Sequence, residues 1–254
     1  MSAQTPVCFD VLGTCFSFEA TRHALRKVFP QLEELHAQSI VEDWFHSAQR
    51  DFTCELSHLS MNGQYTPIAK VLKATLPRIY LMSGLVPPSA ASPSSSSTTF
   101  SPSLIDPVVA SIPSMPARPG LGACAALLQM HNFRVMAATN GGLETTRGLF
   151  ENALGKEEAG KWEYFSCDED RVAKPSPSVY EDVWKKLGLG GVERKGWFVA
   201  SHTWDLFAAK KAGFKTAFVT YEEHLVLPEL FGQPDIVATD LEDAARQIIA
   251  AEAA

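Results

Sequence analysis

The chain has 254 residues, of which 46% are apolar and 20% charged, an ordinary composition for a soluble globular protein. Its net charge of −7, without a basic patch, argues against a nucleic-acid-binding protein. No apolar run approaches the roughly 20 residues that cross a membrane, and the N-terminus lacks the basic and apolar regions of a secretory signal. Five dispersed cysteines without a CxxC pair favour reduced thiols over disulfides. We therefore expect a cytoplasmic protein that binds neither nucleic acid nor membranes.

The first element in chain order is a strand, residues 6–10, that ends on a charge. In the segment VCFDVLGTCFS, apolar residues run into the carboxylate of Asp10, and the chain then breaks at residues 12–14. Asp10 and Thr14 are thus expected at the open end of a strand. A carboxylate in this place is a candidate nucleophile, although a strand-end aspartate is often only a helix N-cap.

Residues 18–118 favour helices. We predict helices over 19–28, 37–53 and 67–84, and we expect Pro77 to break or kink the third. The composition then shifts to serine and proline. We interpret 87–103 as a flexible insertion because it cannot bury enough apolar surface to offset its ordering entropy.

From residue 120 onward, strands alternate with helices, which predicts a parallel sheet with helices on both faces. The strand at 6–10 has no partner nearby in sequence, so we expect it to join this later sheet. The predicted strands are 133–138, 162–166, 196–200, 215–219 and 235–238, and the predicted helices are 121–131, 143–154, 177–187, 205–212 and 240–252.

The expected fold class is therefore α/β, with a Rossmann-like parallel-sheet core formed by residues 1–17 and 119–254. An all-helical domain, residues 18–118, would be inserted after the first strand of that core. The flexible stretch 87–103 would belong to this inserted domain.

Ligands of such sheets bind outside the carboxyl ends of the strands, so polar residues that follow predicted strands are candidate site residues. Asp10 could attack carbon or phosphorus, Lys174 would keep it ionised, and Asp205 could orient or activate a water. Each residue alone has an ordinary structural explanation, but their occurrence at successive strand ends indicates a site. The full set is Asp10, Thr14, Thr139, Asn140, Lys174, Tyr180, Ser201, His202 and Asp205.

Four segments also resemble, in order, the four motifs of the haloacid dehalogenase (HAD) superfamily, and within it the 2-haloacid dehalogenase (type II) branch: FDVLGT, ATNGG, KPSPSVY and VASHTWDLFAAKKAGFKTAFV. The resemblance covers nearly the whole chain apart from the serine- and proline-rich segment. It implies an HAD core with a helical cap domain at 18–118. It also implies that Asp10 is the nucleophile, with Thr14 and Lys174 beside it.

The remaining roles that this resemblance implies concern the substrate and the water. Thr139 and Asn140 would meet the substrate carboxylate and leaving group, and Trp204 would line the pocket. The supporting or water-activating residues would be Tyr180, Ser201 and Asp205. The implied function is a hydrolase that cleaves a carbon–halogen bond of a small 2-haloacid through an ester on Asp10. The implied protein is a homodimer without a cofactor.

Leu12 favours a halide as the leaving group. In phosphatases of the superfamily, the first motif has the form Asp-x-Asp, and the carboxyl of the second aspartate protonates the leaving alkoxide. A halide leaves as a stable anion and needs no proton, so Leu12 is adequate for dehalogenation. We also expect no metal, because Asp205 has no second aspartate close behind it and Mg²⁺ prefers an oxygen-rich site.

Two positions depart from the dehalogenase pattern. In that branch, the residue after the cap tryptophan is an arginine that grips substrate or halide. In this chain the residue after Trp44 is Phe45. His202 stands where an asparagine is commoner, and it could be a donor to Asp10, a general base, or a packed histidine.

Two alternative functions therefore stay open. The first is an HAD-type phosphatase or another hydrolase with a diverged site, which alone would require Mg²⁺. The second is a non-catalytic binding protein with the HAD fold.

Overall fold

The apolar segments that the sequence singles out as strands form one parallel sheet in a computed structural model, which describes residues 4–57, 65–86, 100–190 and 194–253. Each strand is short and mostly buried, as expected for a sheet that is covered on both faces. The strands are β1 (Pro6–Phe9), β2 (Arg134–Thr139), β3 (Glu163–Ser166), β4 (Trp197–Ala200), β5 (Lys215–Val219) and β6 (Ile236–Ala238).

The strands lie in the order β3-β2-β1-β4-β5-β6, which is the order of a Rossmann-like sheet. The first strand of the chain is therefore central: Val7 pairs with Val135 on one side and with Trp197 on the other. The strand order reverses direction around β1, and the carboxyl ends of β1 and β4 flank that point. These findings confirm the predicted α/β class and the recruitment of the first strand into the later sheet.

Twelve α-helices lie in the described part of the chain, together with a 3-10 turn at Ile112–Ser114. The helices between β1 and β2 are α1 (Glu19–Val28), α2 (Glu34–Ser57), α3 (Ile68–Met82), α4 (Pro102–Val109) and α5 (Leu121–Met130). The later helices are α6 (Leu143–Leu154), α7 (Lys156–Ala159), α8 (Cys167–Asp170), α9 (Pro177–Lys186), α10 (Thr203–Lys211), α11 (Pro228–Phe231) and α12 (Leu241–Ala253). None of the helices described is both long and apolar enough to cross a membrane.

The chain divides into two compact units. The first consists of Met1–Ser17 together with Ala117–Ala254 and contains the sheet. The second is Phe18–Pro116, which contains α1 to α4 and no named strand among its described residues. Ala117 and Arg118, which the sequence places in the inserted domain, belong instead to the first unit. Their backbone explains this, because Phe16 bridges Ala117 and the Arg118 N–H donates to the Cys15 carbonyl at 2.8 Å.

One prediction within the second unit needs correction, and a second is tested only at its end. Pro77 does not break a helix, because α3 continues through it from Ile68 to Met82. Buried residues on both sides of Pro77, such as Leu76 and Ile79, hold the helix against its neighbours. Residues 87–99 of the predicted flexible insertion 87–103 lie outside the described residues. Its last two residues begin α4, where a proline in the first helical turn costs no hydrogen bond.

The second unit is held together by buried aromatic side chains. The Trp44 indole of α2 donates to the Leu72 carbonyl of α3 at 3.0 Å. The Tyr80 hydroxyl donates to the Leu104 carbonyl at 2.8 Å and so ties α3 to α4. An aromatic residue with a satisfied polar end is a strong anchor between helices.

The sheet of the first unit is packed between two layers of helices. The helices α9 and α10 cover one face, where Trp184 stacks on Phe214 at a ring distance of 3.8 Å. On the other face α5 packs against β2 and α12. These layers fix the carboxyl ends of β1 and β4 and thereby the loops that follow them.

Removing side-chain volume from this packing should be costly. Leu128, in α5, is completely buried, and we expect Leu128→Ala to lower the free energy of unfolding by about 2–5 kcal/mol because it leaves a cavity. The matched control is Leu230→Ala in α11, whose side chain is 67% exposed, with an expected change within about 0.5 kcal/mol. Urea unfolding measures both, and equal effects would contradict the assigned core.

Candidate active site

The loop after β1 holds Asp10 at the end of the strand. The Asp10 N–H still bonds to the Val199 carbonyl of β4 at 2.9 Å, so its backbone is fixed by the sheet. The chain then turns sharply: the N–H groups of Cys15 and Phe16 both donate to the Val11 carbonyl. Gly13 has a φ of +85°, which other residues rarely adopt, so it allows this turn.

Asp10 is buried, with 7% of the residue exposed, and its side chain meets three groups. Its Oδ1 accepts from Lys174 Nζ at 2.7 Å, and its Oδ2 accepts from the Thr14 hydroxyl at 2.8 Å. His202 Nδ1 lies 3.4 Å from the same Oδ2. The sequence-predicted neighbours Thr14, Lys174 and His202 are therefore all found around this carboxylate.

Lys174 is almost completely buried and bridges two carboxylates. Its ammonium donates to Asp10 Oδ1 and, at 2.6 Å, to Asp205 Oδ2. Asn140 holds the lysine by its backbone, because the Lys174 N–H donates to Asn140 Oδ1 at 2.9 Å. Four of the predicted site residues thus form one connected network.

Asp205 lies in the first turn of α10 and is completely buried. Both of its carboxylate oxygens have partners: Oδ2 accepts from Lys174, and Oδ1 accepts from the Tyr180 hydroxyl of α9 at 2.5 Å. Tyr180 is itself fixed within the core against Phe198, at a ring distance of 5.6 Å.

The electrostatics of this network keep Asp10 ionised. Burial by itself would raise the pKa of Asp10, but the Lys174 ammonium holds that pKa well below its usual range. Burial disfavours the charge on Lys174, yet the two carboxylates raise the pKa of Lys174 above its ordinary value. Burial also raises the pKa of Asp205, and the Lys174 ammonium offsets only part of that effect.

The other predicted residues of the first unit lie nearby or support the network. The Ser201 N–H donates to the Thr14 hydroxyl oxygen at 3.0 Å, which ties the β4 loop to the β1 loop. The Thr139 hydroxyl oxygen accepts from the Gly141 N–H at 2.9 Å, at the end of β2. The Trp204 ring packs against the His202 ring with 5.8 Å between centroids.

Leu12 and Phe45 have different surroundings. Leu12 is half-buried in the turn of the β1 loop, where it bridges Phe16, and it places no polar atom beside Asp10. Phe45 lies in the second unit, where it is buried and packs against Phe18 at a ring distance of 4.4 Å.

Sequence reasoning missed three charged residues that contact these loops: Arg118, Glu222 and Glu223. The Arg118 guanidinium donates through Nε to the Gly13 carbonyl at 3.2 Å and forms an ion pair with Glu222. Glu223 accepts from the backbone and hydroxyl of Thr203. Applying the strand-end rule to β5 as well would have found the two glutamates, because they follow its last residue closely.

The donor set does not fit a magnesium ion. Among the described residues there is no group of three or more His, Cys, Asp or Glu side chains that could hold a metal. The ammonium of Lys174 already bridges Asp10 and Asp205, and Leu12 offers no oxygen ligand.

Comparison with known proteins identifies the class. A family model described as haloacid dehalogenase-like hydrolase matches residues 7–213, which is most of the chain. The chain therefore belongs to the haloacid dehalogenase-like hydrolase family, and the resemblance of its four motifs to that superfamily is confirmed.

Individual relatives agree with this family. The chain is 36% identical over 78 residues to (S)-2-haloacid dehalogenase 2 of Pseudomonas sp. (strain CBS-3), an alignment that covers 31% of this chain and only 33% of that protein. It resembles the crystal structure of the L-2-haloacid dehalogenase RSc1362 with a TM-score of 0.79 and 19% identity, over 97% of this chain and 99% of that one. It also resembles the L-2-haloacid dehalogenase of Xanthobacter autotrophicus with chloropropionic acid covalently bound, with a TM-score of 0.73 and 21% identity, over 96% and 98% of the two chains. Likeness at this level of identity establishes the shared fold.

Removing the ammonium from this network should destabilise the protein in a pH-dependent way. We expect Lys174→Met to cost about 3–5 kcal/mol of unfolding free energy at pH 7, because it leaves buried carboxylates without a counter-ion. Without the lysine, the pKa values of both carboxyls in the folded state lie above those in the unfolded state. Such groups destabilise the fold most when ionised. The loss of unfolding free energy in Lys174→Met, relative to the wild type, should therefore shrink as the pH falls from 8 toward 5.

Urea unfolding at several pH values measures this deficit. The control is Lys186→Met, a partly exposed lysine of α9 whose loss should change the free energy by about 0.5 kcal/mol or less. A Lys174→Met deficit that is independent of pH would contradict the proposed electrostatic network.

Proposed function

We propose that the protein hydrolyses the carbon–halogen bond of a small 2-haloacid, with Asp10 as the nucleophile. One observation carries this proposal: a carboxylate that Lys174 keeps ionised stands at the switch point of the sheet, and Leu12 takes the place of a second acid beside it. Such a carboxylate can attack carbon, and the departing halide needs no proton donor. The names of the related proteins support the same reaction.

In the first step, an oxygen of Asp10 attacks C2 of the substrate. The carbon–halogen bond breaks, the halide leaves with the bonding electron pair, and a neutral ester joins Asp10 to the substrate. Thr14 and Lys174 fix the two carboxylate oxygens and so orient the nucleophile before the substrate arrives.

In the second step, water adds to the carbonyl carbon of this ester. A base takes one proton of the water and passes it to the ester oxygen as the bond between that oxygen and the carbonyl carbon breaks. The second proton of the water is lost from the new carboxyl group. The 2-hydroxy acid leaves with an oxygen that belonged to Asp10, and the carboxylate of Asp10 is restored with an oxygen from water. The net products are the hydroxy acid, a halide ion and a proton.

We assign the proton acceptor of this step to His202. Its ring lies beside Asp10 Oδ2, next to the carbonyl at which the water adds, and imidazole is the commonest general base in enzymes. The carboxylate of Asp205 is engaged by Lys174 and Tyr180. We therefore assign to Asp205 the role of holding the Lys174 ammonium in place.

The substrate-facing roles extend this proposal to the rest of the motif residues. Thr139, Asn140 and Trp204 would contact the substrate carboxylate or the leaving group, and Ser201 would support Thr14. The helical unit Phe18–Pro116 would serve as the cap domain, because it is inserted directly after the nucleophile loop, and Phe45 would contact the substrate from it. The reaction uses no cofactor.

Halide release gives the direct test of this function. We expect the purified protein to release halide from short 2-chloro- or 2-bromoalkanoates in the presence of EDTA, since no step requires a metal. Asp10→Asn should abolish the release, because an amide is not a nucleophile. A halide electrode or ion chromatography measures it.

The matched control is Asp182→Asn, a surface aspartate of α9 that pairs with Lys185 and should leave the rate unchanged. No release from any chloro-, bromo- or fluoro-acid, together with Mg²⁺-dependent hydrolysis of p-nitrophenyl phosphate, would replace this proposal with the phosphatase alternative.

A further inference from the structure

The loop after β5 places two glutamates side by side, and neither has a role in the two proposed steps of the reaction. Glu222 and Glu223 are consecutive, but their carboxylates contact different parts of the site. Glu222 contacts the loop that follows β1, and Glu223 contacts the helix that follows β4. A single short loop therefore touches both segments that supply the reacting groups.

Glu223 caps the helix that carries Asp205. One of its oxygens accepts from the Thr203 N–H at 2.7 Å and from the Thr203 hydroxyl at 2.6 Å. Thr203 is the first residue of α10, and the residue before it makes no side-chain capping bond. A carboxylate at this end satisfies a free N–H group and interacts favourably with the helix dipole. Glu223 thereby fixes the first turn, which begins beside His202 and contains Asp205.

Glu222 braces the nucleophile loop instead. Its carboxylate pairs with Arg118, and that guanidinium donates to the Gly13 carbonyl at 3.2 Å. The pair is largely buried, with 17% of the Arg118 side chain and 6% of the Glu222 side chain exposed. The stem of Glu222 also packs tightly on Gly13, since a Cβ atom there would lie 3.0 Å from Glu222 Cγ. The residue after Gly13 is Thr14, which donates to Asp10 Oδ2.

We infer that Glu222 and Glu223 are positioning residues that divide the two steps of the reaction between them. Glu222, through Arg118 and Gly13, sets the position of Thr14 and Asp10 for the attack on C2. Glu223, through Thr203, sets the position of His202 and Asp205 for the hydrolysis of the ester. This inference rests on the proposed function, because it assigns each glutamate to one of its two steps.

The two steps respond differently to misplacement of these groups. A shift of the β1 loop moves the nucleophile itself and so slows ester formation, which releases the halide. A shift of the first turn of α10 moves the proposed base, so the ester forms but hydrolyses slowly. Misplacement of a reacting group by about 1 Å can slow a step by about 100-fold.

Rapid-mixing measurements of halide release separate the steps in Glu222→Gln and Glu223→Gln. We expect Glu222→Gln to slow the first turnover by about 10- to 100-fold. Glu223→Gln should instead release one halide per protein at close to the normal rate and then turn over slowly. Its ester should accumulate, with the mass of the acid residue added to the intact protein.

The matched control is Glu229→Gln in α11, an exposed glutamate a few residues further along the same segment, which should behave as the wild type. Two further variants keep the test valid if Glu223→Gln does not fold. Thr203→Val removes only the hydroxyl bond to Glu223 and should give a weaker form of the same burst, whereas Thr203→Ser keeps that bond and should restore single-phase release.

The outcomes distinguish this inference from the function on which it rests. If the wild type releases no halide, the proposed function fails and the inference fails with it. If the wild type is active but both glutamine variants match Glu229→Gln, or both slow the two steps by the same factor, the function stands and the inference is overturned.

Discussion

The arrangement of the site depends on one buried interaction, the contact of the Lys174 ammonium with the carboxylates of Asp10 and Asp205. A lysine in this position would be costly alone, and so would either carboxylate, but each satisfies the others. Every neighbouring element serves this contact: Asn140 holds the backbone of Lys174, Tyr180 holds Asp205, and the sheet holds Asp10. The parallel sheet makes this possible because the carboxyl ends of β1 and β4 meet at its switch point.

The apolar side chain of Leu12 restricts the chemistry of this site as much as the charges of Asp10, Lys174 and Asp205 do. Leu12 places no acid beside Asp10, so a leaving group that requires a proton has no donor from that position. The ammonium lowers the pKa of Asp10 and also engages the oxygens that would bind a metal. Together these features favour attack on carbon and the departure of a halide.

The sequence predicts the core of this site because local rules determine it. Asp10 and Asp205 follow the buried apolar strands β1 and β4 at a short distance, and parallel strands bring such positions to one edge. Lys174 follows β3 only after the short helix α8. Tertiary packing decides what these rules miss. Arg118 and Glu222 meet only after folding, since 104 residues separate them. Pro77 likewise lies inside α3 because packing on both of its sides outweighs its local preference.

The origin of the oxygen atoms tests the central claim most directly. In a single turnover in H₂¹⁸O, water attacks the ester carbonyl, so the new oxygen must enter Asp10 and the oxygen that leaves in the hydroxy acid must come from the protein. Mass analysis of the peptide that contains Asp10 should show a gain of one ¹⁸O, with an unlabelled hydroxy acid. Label in the hydroxy acid with none in the Asp10 peptide would show that water displaces the halide directly, and would contradict Asp10 as the nucleophile.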